Sequence, residues 1–336
     1  MYNHAFIQLS DILKAYLNNT STPYSDLIKS SIHQAEIQNP WFIEKFVLTM
    51  FSHISDLTSS ESIAKYTDKF TSTQNPKKVL VIAAGNIPMV SFHDVMSVLL
   101  SGHFLVFKPS SKDTILMKMI LNILKNIEPK LKEKIFIVEK TIQTKEIDAV
   151  IATGTNNTGM HIQYYFQNYP KIIRNNRTSI AIIDNSTTDD DLKKLSDDCL
   201  LYFGLGCRNV SKIFIPSDFD IQRIFKAFYD YGFFIQHNKY MNNYDYYRSI
   251  YLLNRENFLE NNFLIVKESQ ELNAPVANLF FQRYNNINEI NEYIQKHSND
   301  IQSIVGKNYV PFGKSQFPDI LDFSDGISTK EFLMAL

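Results

Sequence analysis

The cysteine at position 207 stands in a sequence context that suits a reactive thiol. It ends the run Gly204-Leu205-Gly206-Cys207, whose two glycines allow a tight, exposed turn that a β-branched residue resists. Arg208 follows directly, and a nearby positive charge favours the thiolate, the nucleophilic form of cysteine. The sequence therefore supports two interpretations of Cys207, a catalytic nucleophile or a buried structural cysteine.

Asn86 lies between a predicted buried strand and a predicted helix, in the run Ala83-Ala84-Gly85-Asn86-Ile87-Pro88. Its side-chain amide can donate a hydrogen bond to an oxygen that becomes negative during a reaction, as one half of an oxyanion hole. The same residue can instead cap the following helix, with Pro88 in the first turn. The two roles are compatible, and both remain open.

Polar residues also follow the next apolar run along the chain. Lys108, Ser110 and Ser111 come after the predicted strand Phe104–Phe107. Ligands of α/β proteins bind at the carboxyl ends of parallel strands, where the Lys108 ammonium can meet ribose hydroxyls or a phosphate. A solvent-exposed lysine without a ligand is the alternative, since most lysines are exposed.

A third polar motif links a predicted strand to a predicted helix. Thr153, Gly154 and Thr155 follow the apolar run Ala149–Ala152 and precede a helical stretch. Free backbone amides at the start of a helix bind anions, so this turn suits a pyrophosphate. The motif matches neither of the common glycine-rich phosphate-binding patterns, and an ordinary Asn/Gly turn is the alternative.

The apolar pattern predicts the elements that carry these motifs. Residues 1–70 show helical spacing, and from Val79 onward short apolar runs alternate with helical stretches. Such alternation predicts an α/β fold, with a parallel sheet covered by helices on both faces. We expect N-terminal helices and a dinucleotide-binding domain over 1–184, and a smaller α/β domain that contains Cys207 over 185–314. The C-terminal segment, 315–336, is expected to pack back on the first domain.

Composition excludes several classes of protein. The 336 residues include 34 basic and 35 acidic side chains, a balance that argues against nucleic-acid binding or membrane-surface binding. The N-terminus lacks the basic start and apolar stretch of a signal peptide, and no segment reaches the roughly 18 apolar residues that cross a bilayer. We therefore expect a cytoplasmic protein. Cys199 and Cys207 lack CxxC spacing, so we predict no disulfide and no metal site, and a structural role for Cys199.

The order of the motifs resembles that of the aldehyde dehydrogenase superfamily. Asn-x-Pro, Lys-Pro-Ser, Thr-Gly-Thr and Gly-x-x-Cys are followed by Glu-Leu-Asn-Ala-Pro-Val at 271–276. The runs Gly-Leu-Gly-Cys-Arg-Asn-Val-Ser-Lys and Ile-Ile-Arg-Asn-Asn-Arg, with the ending near 317–326, are more closely similar to the bacterial fatty acyl-CoA reductases, the LuxC-like family. The resemblance runs from about Val79 to the C-terminus.

The resemblance implies a fold like that of the aldehyde dehydrogenases and a role for each motif. It assigns the nucleophile to Cys207, and the oxyanion donors to the Asn86 side chain and the Cys207 backbone amide. The cofactor assignments are Lys108 to the adenosine ribose, Gly154 and Thr155 to the pyrophosphate, and Glu271 to the nicotinamide ribose. Oligomers are common in the superfamily, so a homo-oligomer is possible.

Two departures from the superfamily pattern favour a reductase. Hydrolytic aldehyde dehydrogenases use a glutamate to activate water, and the matching stretch Ile173-Arg174-Asn175-Asn176-Arg177 has no carboxylate, so an acyl-enzyme should survive until hydride arrives. NAD-selective relatives often carry a glutamate at the position of Ser111, and a serine tolerates the 2′-phosphate that a carboxylate repels. The resemblance therefore implies NADPH-dependent reduction of a fatty acyl thioester, acyl-CoA or acyl carrier, to an aldehyde. NAD is the alternative cofactor.

Several alternatives stay open on the sequence. The chain can be an aldehyde dehydrogenase that oxidises an aldehyde to an acid, or a non-catalytic acyl- or nucleotide-binding module. His93 can be a proton donor or a structural histidine. Arg174 and Arg177 can meet the phosphates of coenzyme A or form surface ion pairs. The aromatic-rich stretch 228–252 can line an apolar tunnel or pack as core and subunit contact.

Overall fold

The chain forms two compact units, each with its own sheet. The computed structural model describes residues 2–68, 73, 75–138, 146–154 and 156–336, except the side chains of 156–158. Unit 1 is Met1–Asn175 with Pro318–Leu336, and unit 2 is Asn176–Phe317. The boundary precedes the expected one at 184, because the strand Thr178–Ile182 is hydrogen-bonded into the sheet of unit 2.

Unit 1 begins with amphipathic helices. They are α1 Asn3–Leu17, α2 Ser25–Gln38, α3 Glu44–Leu57 and α4 Ser60–Thr67. In α1 the buried Phe6, Leu9 and Leu13 recur at helical spacing and form one apolar stripe. The hydroxyl of Ser59 caps α4 by accepting the backbone amide of Ser62. Most of the stability of such helices comes from packing this stripe, rather than from helix propensity.

A parallel sheet with interleaved helices follows in unit 1. The strands are β1 Lys78–Ile82, β2 Phe104–Lys108, β3 Ile135–Ile137, β4 Ala149–Thr153 and β5 Lys171–Arg174. The helices are α5 Phe92–Leu100, α6 Ile115–Ile127, α7 Asn156–Tyr165 and, from the C-terminal segment, α12 Thr329–Met334. The strand order is β3-β2-β1-β4-β5, and each neighbouring pair is parallel. The topology switches direction between β1 and β4, the position at which such sheets bind ligands.

The C-terminal segment, Pro318–Leu336, is held in unit 1 by two histidines. Nε2 of His93 donates a hydrogen bond to the carbonyl of Ile320 at 2.9 Å. Nε2 of His103 donates to the carbonyl of Leu333, also at 2.9 Å. The imidazole of His93 is thus used in holding the chain, which favours its structural interpretation over a role as proton donor.

Unit 2 is built around a second sheet. Its strands are β6 Thr178–Ile182, β7 Val210–Pro216, β8 Leu259–Glu260, β9 Ile265–Glu268, β10 Asn278–Tyr284 and β11 Ile301–Val305. Its helices are α8 Asp189–Leu200, α9 Gln222–Ala227, α10 Asn238–Leu253 and α11 Ile287–Lys296. The order is β11-β6-β7-β10-β9-β8, with neighbours parallel except for the antiparallel pair β8 and β9. The predicted α/β fold with parallel sheets is confirmed.

The aromatic-rich stretch in unit 2 contributes some of its rings to the core, while others, such as Tyr229 and Tyr246, are exposed. It forms a 3-10 helix, Tyr229–Gln236, followed by α10. Phe234 and Tyr240 are fully buried, and Tyr231 is nearly so. Their rings contact one another, with centroids of Phe234 and Tyr240 4.5 Å apart. Among the described residues, no helix is long and apolar enough to cross a bilayer.

Candidate active site

The two cysteines of unit 2 lie in different environments. Cys207 is partly exposed on the loop between α8 and β7, and its carbonyl accepts the hydroxyl of Ser179 at 3.3 Å. Cys199 is buried in α8, and burial, reinforced by the carboxylates of Asp198 and Asp197, raises the pKa of its thiol well above the ordinary value. Cys199 is therefore an inert structural thiol, as predicted, whereas Cys207 is accessible to a reagent.

The side chain of Asn209 holds the Cys207 loop. Its Oδ1 accepts the backbone amide of Gly206 at 2.7 Å, and its Nδ2 donates to the carbonyls of Leu201 at 2.9 Å and Asp198 at 3.2 Å. One buried amide thus joins the loop to the end of α8 and satisfies groups at both. Asn209 is part of the run that carries the family resemblance, but its sequence context gave no chemical reason to single it out.

Gly206 is required by the same arrangement. A Cβ atom at this position would lie 2.7 Å from Asn209 Oδ1, closer than real Cβ contacts. The glycines beside Cys207 were expected to permit a tight turn, and at Gly206 the need is specifically for space beside the Asn209 side chain.

The backbone just before the loop is strained. Tyr202 has φ 55° and ψ 32°, and Phe203 has φ 56° and ψ 25°, which is the left-handed region that bulky residues avoid at a cost of about 1–2 kcal/mol each. Both side chains are buried, and the Phe203 ring lies 4.5 Å from that of Phe234 and 4.2 Å from that of His237, centroid to centroid. Strained backbone persists where surrounding packing holds it, so the aromatic stretch supports the entry to the Cys207 loop.

A segment near the end of unit 2 packs beneath the loop. Asp198 accepts the backbone amides of Gly313 at 2.6 Å and Ser315 at 2.9 Å. Burial raises the pKa of Asp198 to about 6. Gln316 follows directly, and its Oε1 lies 3.4 Å from where a Cβ of Gly206 would be. The Cys207 loop is therefore supported both by Asn209, which follows it in the chain, and by the segment 313–316 near the end of unit 2.

In unit 1 the loops after β1 and β2 pack directly against each other. The backbone amide of Ala83 donates to the carbonyl of Lys108 at 3.0 Å. A Cβ on Gly85 would lie 2.4 Å from Ser110 Oγ, so only glycine allows the two loops to approach this closely. The structure thus brings Asn86, which follows Gly85, beside the predicted cofactor residues Lys108 and Ser110.

Asn86 does not cap the helix that follows it, contrary to one of its two interpretations. Helix α5 begins at Phe92 with Ser91 at the N-cap position, so Pro88 does not lie in its first turn. The reason is local, because Met89 has φ 50°, and a left-handed residue interrupts a right-handed helix. Asn86 and Pro88 therefore lie in an irregular loop.

A buried carboxyl group links this loop to α6. Oδ2 of Asp113 accepts the backbone amide of Met89 at 2.5 Å. Burial raises the pKa of Asp113 to about 7, and the amides of Met89 and Met117 limit the rise. The sequence offered no signal for this residue, since an aspartate ahead of a helix usually acts as an exposed cap.

The N-terminal helices hold the loop that carries the predicted ribose-binding residues. Nε2 of Gln38 donates to the carbonyl of Ser111 at 3.0 Å, and Nδ2 of Asn39 donates to the carbonyl of Lys112 at 3.3 Å. The side chain of Ser111 is exposed. Residues with no assigned role in the sequence thus support the loop after β2.

The turn after β4 does not offer the free backbone amide that was expected to bind a pyrophosphate. The amide of Gly154, expected to be free for an anion, donates to the carbonyl of Arg174 at 3.3 Å and extends the sheet. Thr153 is partly buried at the strand end, and Thr155 lies outside the described residues. Arg174 is buried and paired with Asp94 at 2.5 Å, so it forms neither the phosphate contact nor the surface ion pair considered from the sequence.

The polar groups at this edge fit a dinucleotide. Lys108 and Ser110 stand at the carboxyl end of β2, next to β1 and the switch between β1 and β4. An ammonium and a hydroxyl suit the ribose and phosphate oxygens of such a ligand. In unit 2, Glu271 is exposed on the loop between β9 and β10.

Solved structures of aldehyde dehydrogenases share this architecture. KauB of Pseudomonas aeruginosa superposes with a TM-score of 0.65 at 11% identity, over 90% of this chain and 71% of that one. The Mycobacterium tuberculosis enzyme complexed with NAD+ gives 0.63 at 14% identity, over 89% and 72%. The Bacillus cereus enzyme, also an NAD+ complex, gives 0.63 at 12% identity, over 90% and 70%. The protein therefore has the aldehyde dehydrogenase fold, as predicted.

The sequence family is more specific than the fold. The model of the acyl-CoA reductase (LuxC) family matches residues 52–224, just over half of the 336-residue chain. The chain belongs to this family, as its motifs predicted. No curated protein sequence matches it. Family and fold together are those of oxidoreductases that act on acyl or aldehyde carbon.

Proposed function

We propose that this protein reduces a fatty acyl thioester to an aldehyde, with Cys207 as nucleophile and a nicotinamide cofactor as reductant. The observation that carries the proposal is the partly exposed Cys207, on a loop held by Asn209, in a member of the acyl-CoA reductase family. A loop backbone held in this way presents its cysteine without first being ordered, which lowers the entropic cost of the reaction.

The Cys207 thiolate attacks the thioester carbonyl and forms a new bond from sulfur to the acyl carbon. The Asn86 amide and the Cys207 backbone amide are the proposed donors to the oxygen that becomes negative, and loss of one such donor costs about 10²–10³ in rate. The carrier thiolate leaves with the electrons of the broken bond, and the acyl group stays on Cys207. The stretch Ile173–Arg177 has no carboxylate to activate water, so this acyl-enzyme is protected from hydrolysis.

A bound nicotinamide cofactor supplies the hydride that converts the acyl carbon to the aldehyde level. Cys207 then leaves as a thiolate when the carbon–sulfur bond breaks, and the aldehyde is released. We assign cofactor binding to Lys108, Ser110, Ser111, Thr153, Thr155 and Glu271, and we leave out Gly154 because its amide donates within the sheet. Ser111 carries no negative charge to repel a 2′-phosphate, so the proposed cofactor is NADPH, with NADH as its competitor.

The test follows NADPH and NADH absorbance while acyl-CoAs of increasing chain length are added. We expect cofactor oxidation with an acyl-length optimum, and loss of about 10³-fold or more in Cys207→Ala, because no other group forms the acyl-enzyme. Cys199→Ala is the control and should retain most of the activity. Full activity in Cys207→Ala would rule out the proposed mechanism. Steady acid formation from an aldehyde and NADP without any thiol acceptor would instead favour the oxidising alternative.

A further inference from the structure

The segment that carries Glu271 is irregular, yet each of its carbonyls has a side-chain partner. It covers residues 269–272, the first part of the connection between β9 and β10, and we term it the Glu271 loop. All four of its backbone carbonyls accept hydrogen bonds from side chains. Lys212 Nζ donates to the carbonyls of Ser269 at 2.8 Å and Glu271 at 3.2 Å. The Tyr293 hydroxyl donates to the carbonyl of Gln270 at 3.2 Å, and the Ser211 hydroxyl donates to that of Leu272 at 2.9 Å. An exposed loop normally gives its carbonyls to water. Here side chains of β7 and α11 take that place.

Lys212 is the central group of this arrangement. The residue is completely buried, and its Nζ lies 4.4 Å from the centre of the Tyr293 ring. Burial lowers the pKa of its ammonium to about 8. A buried charge contributes little to stability compared with an apolar side chain of similar size, so the needs of the core do not explain a lysine here. Its two hydrogen bonds both go to the Glu271 loop.

Ser211 adds a second attachment from the same strand. Its hydroxyl donates to the carbonyl of Leu272 and also lies 2.8 Å from the Thr178 hydroxyl on β6. Both residues follow Cys207 closely along the chain and belong to the strand that its loop enters. Within unit 2, the loop with the candidate nucleophile therefore leads directly into β7, which carries the attachments of the Glu271 loop near its start.

We propose that Lys212, assisted by Ser211, is a positioning residue that fixes the Glu271 carboxylate for binding the cofactor. The inference rests on the proposed function, in which Glu271 contacts the nicotinamide ribose. Lys212 acts only through the loop carbonyls and touches neither substrate nor cofactor.

The experiment measures NADPH binding to the full chain by fluorescence titration, and steady-state kinetics with acyl-CoA. Lys212→Met keeps the length of the side chain and removes the ammonium. We expect the Kd and KM for NADPH to rise about tenfold, the size expected when charge-assisted hydrogen bonds are lost, while the KM for acyl-CoA stays unchanged. The melting temperature should stay the same or rise, since a buried charge has been removed.

Two further variants separate positioning from general damage. Glu271→Gln should itself weaken NADPH binding, and adding Lys212→Met to it should change the Kd by less than about twofold, because residues that act as a unit are not additive. Lys267→Met is the matched control, since this lysine on β9 pairs with Glu256 and stands over the Tyr251 ring without touching the Glu271 loop. It should leave NADPH binding unchanged.

Hydrogen exchange gives a readout that does not depend on cofactor or activity. The amide of Glu271 donates to Ser269 Oγ at 3.1 Å, and we expect it to exchange faster in Lys212→Met. Unchanged exchange and unchanged Kd in this variant would overturn the inference, as would a tenfold loss of binding that persists in the Glu271→Gln background. A wild-type protein that binds no NADPH or NADH would instead overturn the proposed function, and the inference with it.

Discussion

The residues around Cys207 are as constrained as the cysteine itself. Asn209 satisfies polar groups of the loop and of the end of α8 with one side chain, and Gly206 leaves the space that this side chain needs. Tyr202 and Phe203 hold a strained backbone through their buried rings. Each of these features sits within a few residues of Cys207, so their cost in free energy is concentrated at one loop.

Gly206→Ala tests this constraint. The new Cβ would stand 2.7 Å from Asn209 Oδ1, so the loop must shift or the hydrogen bond must break. We expect a loss of roughly 1–3 kcal/mol in the free energy of unfolding and, because small misplacements of a nucleophile are costly, about 10² in the rate of acyl-CoA reduction. Denaturant unfolding and initial rates measure the two effects.

Gly232→Ala is the control for that substitution. A Cβ on Gly232 would meet nothing closer than 4.0 Å, so stability and rate should stay near those of the wild type. If Gly206→Ala were as stable and as active as Gly232→Ala, the close contact between position 206 and Asn209 would not constrain the Cys207 loop.

Between elements, the ends of the strands in unit 1 are joined by side chains of the adjoining loops and helices. Asp113 joins the loop after β1 to the start of α6, and Gln38 and Asn39 join α2 and its end to the loop after β2. These attachments fix the edge to which the cofactor residues are assigned. Hydrogen bonding between strand backbones ends at this edge, so side chains form the hydrogen bonds to the loop amides and carbonyls.

Asp113 should make stability depend on pH. Its pKa in the folded protein, about 7, lies above the ordinary value of 3.8, so protonation favours the folded state. That contribution is fully present below about pH 4 and is lost as the pH rises through 7. Between about pH 5 and pH 8 the wild type should lose roughly 2–3 kcal/mol relative to Asp113→Asn, which has no proton to lose.

Unfolding free energies of both proteins at the two pH values provide the measurement. Other groups, such as Asp198 with its pKa near 6, titrate alike in both and cancel in the difference. A difference between the two proteins that is independent of pH would contradict a raised pKa at Asp113.

For the whole molecule, the C-terminal segment closes unit 1 by binding residues far away in the chain. The Thr329 hydroxyl accepts Nη2 of Arg174 at 2.7 Å, and Arg174 is paired with Asp94 of α5. All three are buried. The C-terminal segment thus supplies a hydrogen-bond acceptor to the buried Arg174 guanidinium. Burying this charge without such partners would lower the stability of the folded protein.

Thr329→Val removes this hydroxyl with little change in shape. We expect a loss of about 1–3 kcal/mol in the free energy of unfolding, because a buried charged donor loses its partner, and faster hydrogen exchange over 318–336. Thr49→Val is the control, since the Thr49 hydroxyl makes only an exposed bond to the carbonyl of Lys45. Equal stability of the two variants would mean that Arg174 does not depend on the C-terminal segment.

The amino-acid sequence by itself determined the fold class, the order of the motifs and the family. Apolar periodicity and turn residues act over short stretches, so they can be read locally, and strands at 79–84, 104–107 and 149–152 were predicted this way, the first of which ends at Ile82 in the structure. The structural role of Cys199 was also predicted from its position within a helix, and the catalytic role of Cys207 stays a prediction.

Only the tertiary structure decided which residues hold these motifs in place. Lys212 and Glu271 are 59 residues apart, and Arg174 and Thr329 are 155 apart, so no local pattern relates them. Tertiary contacts also occupied the Gly154 amide and placed β6 in the second sheet. The physical reason is common to all of these. Buried polar groups must find partners wherever the chain brings them, and that choice is made by the packed molecule rather than by neighbours in sequence.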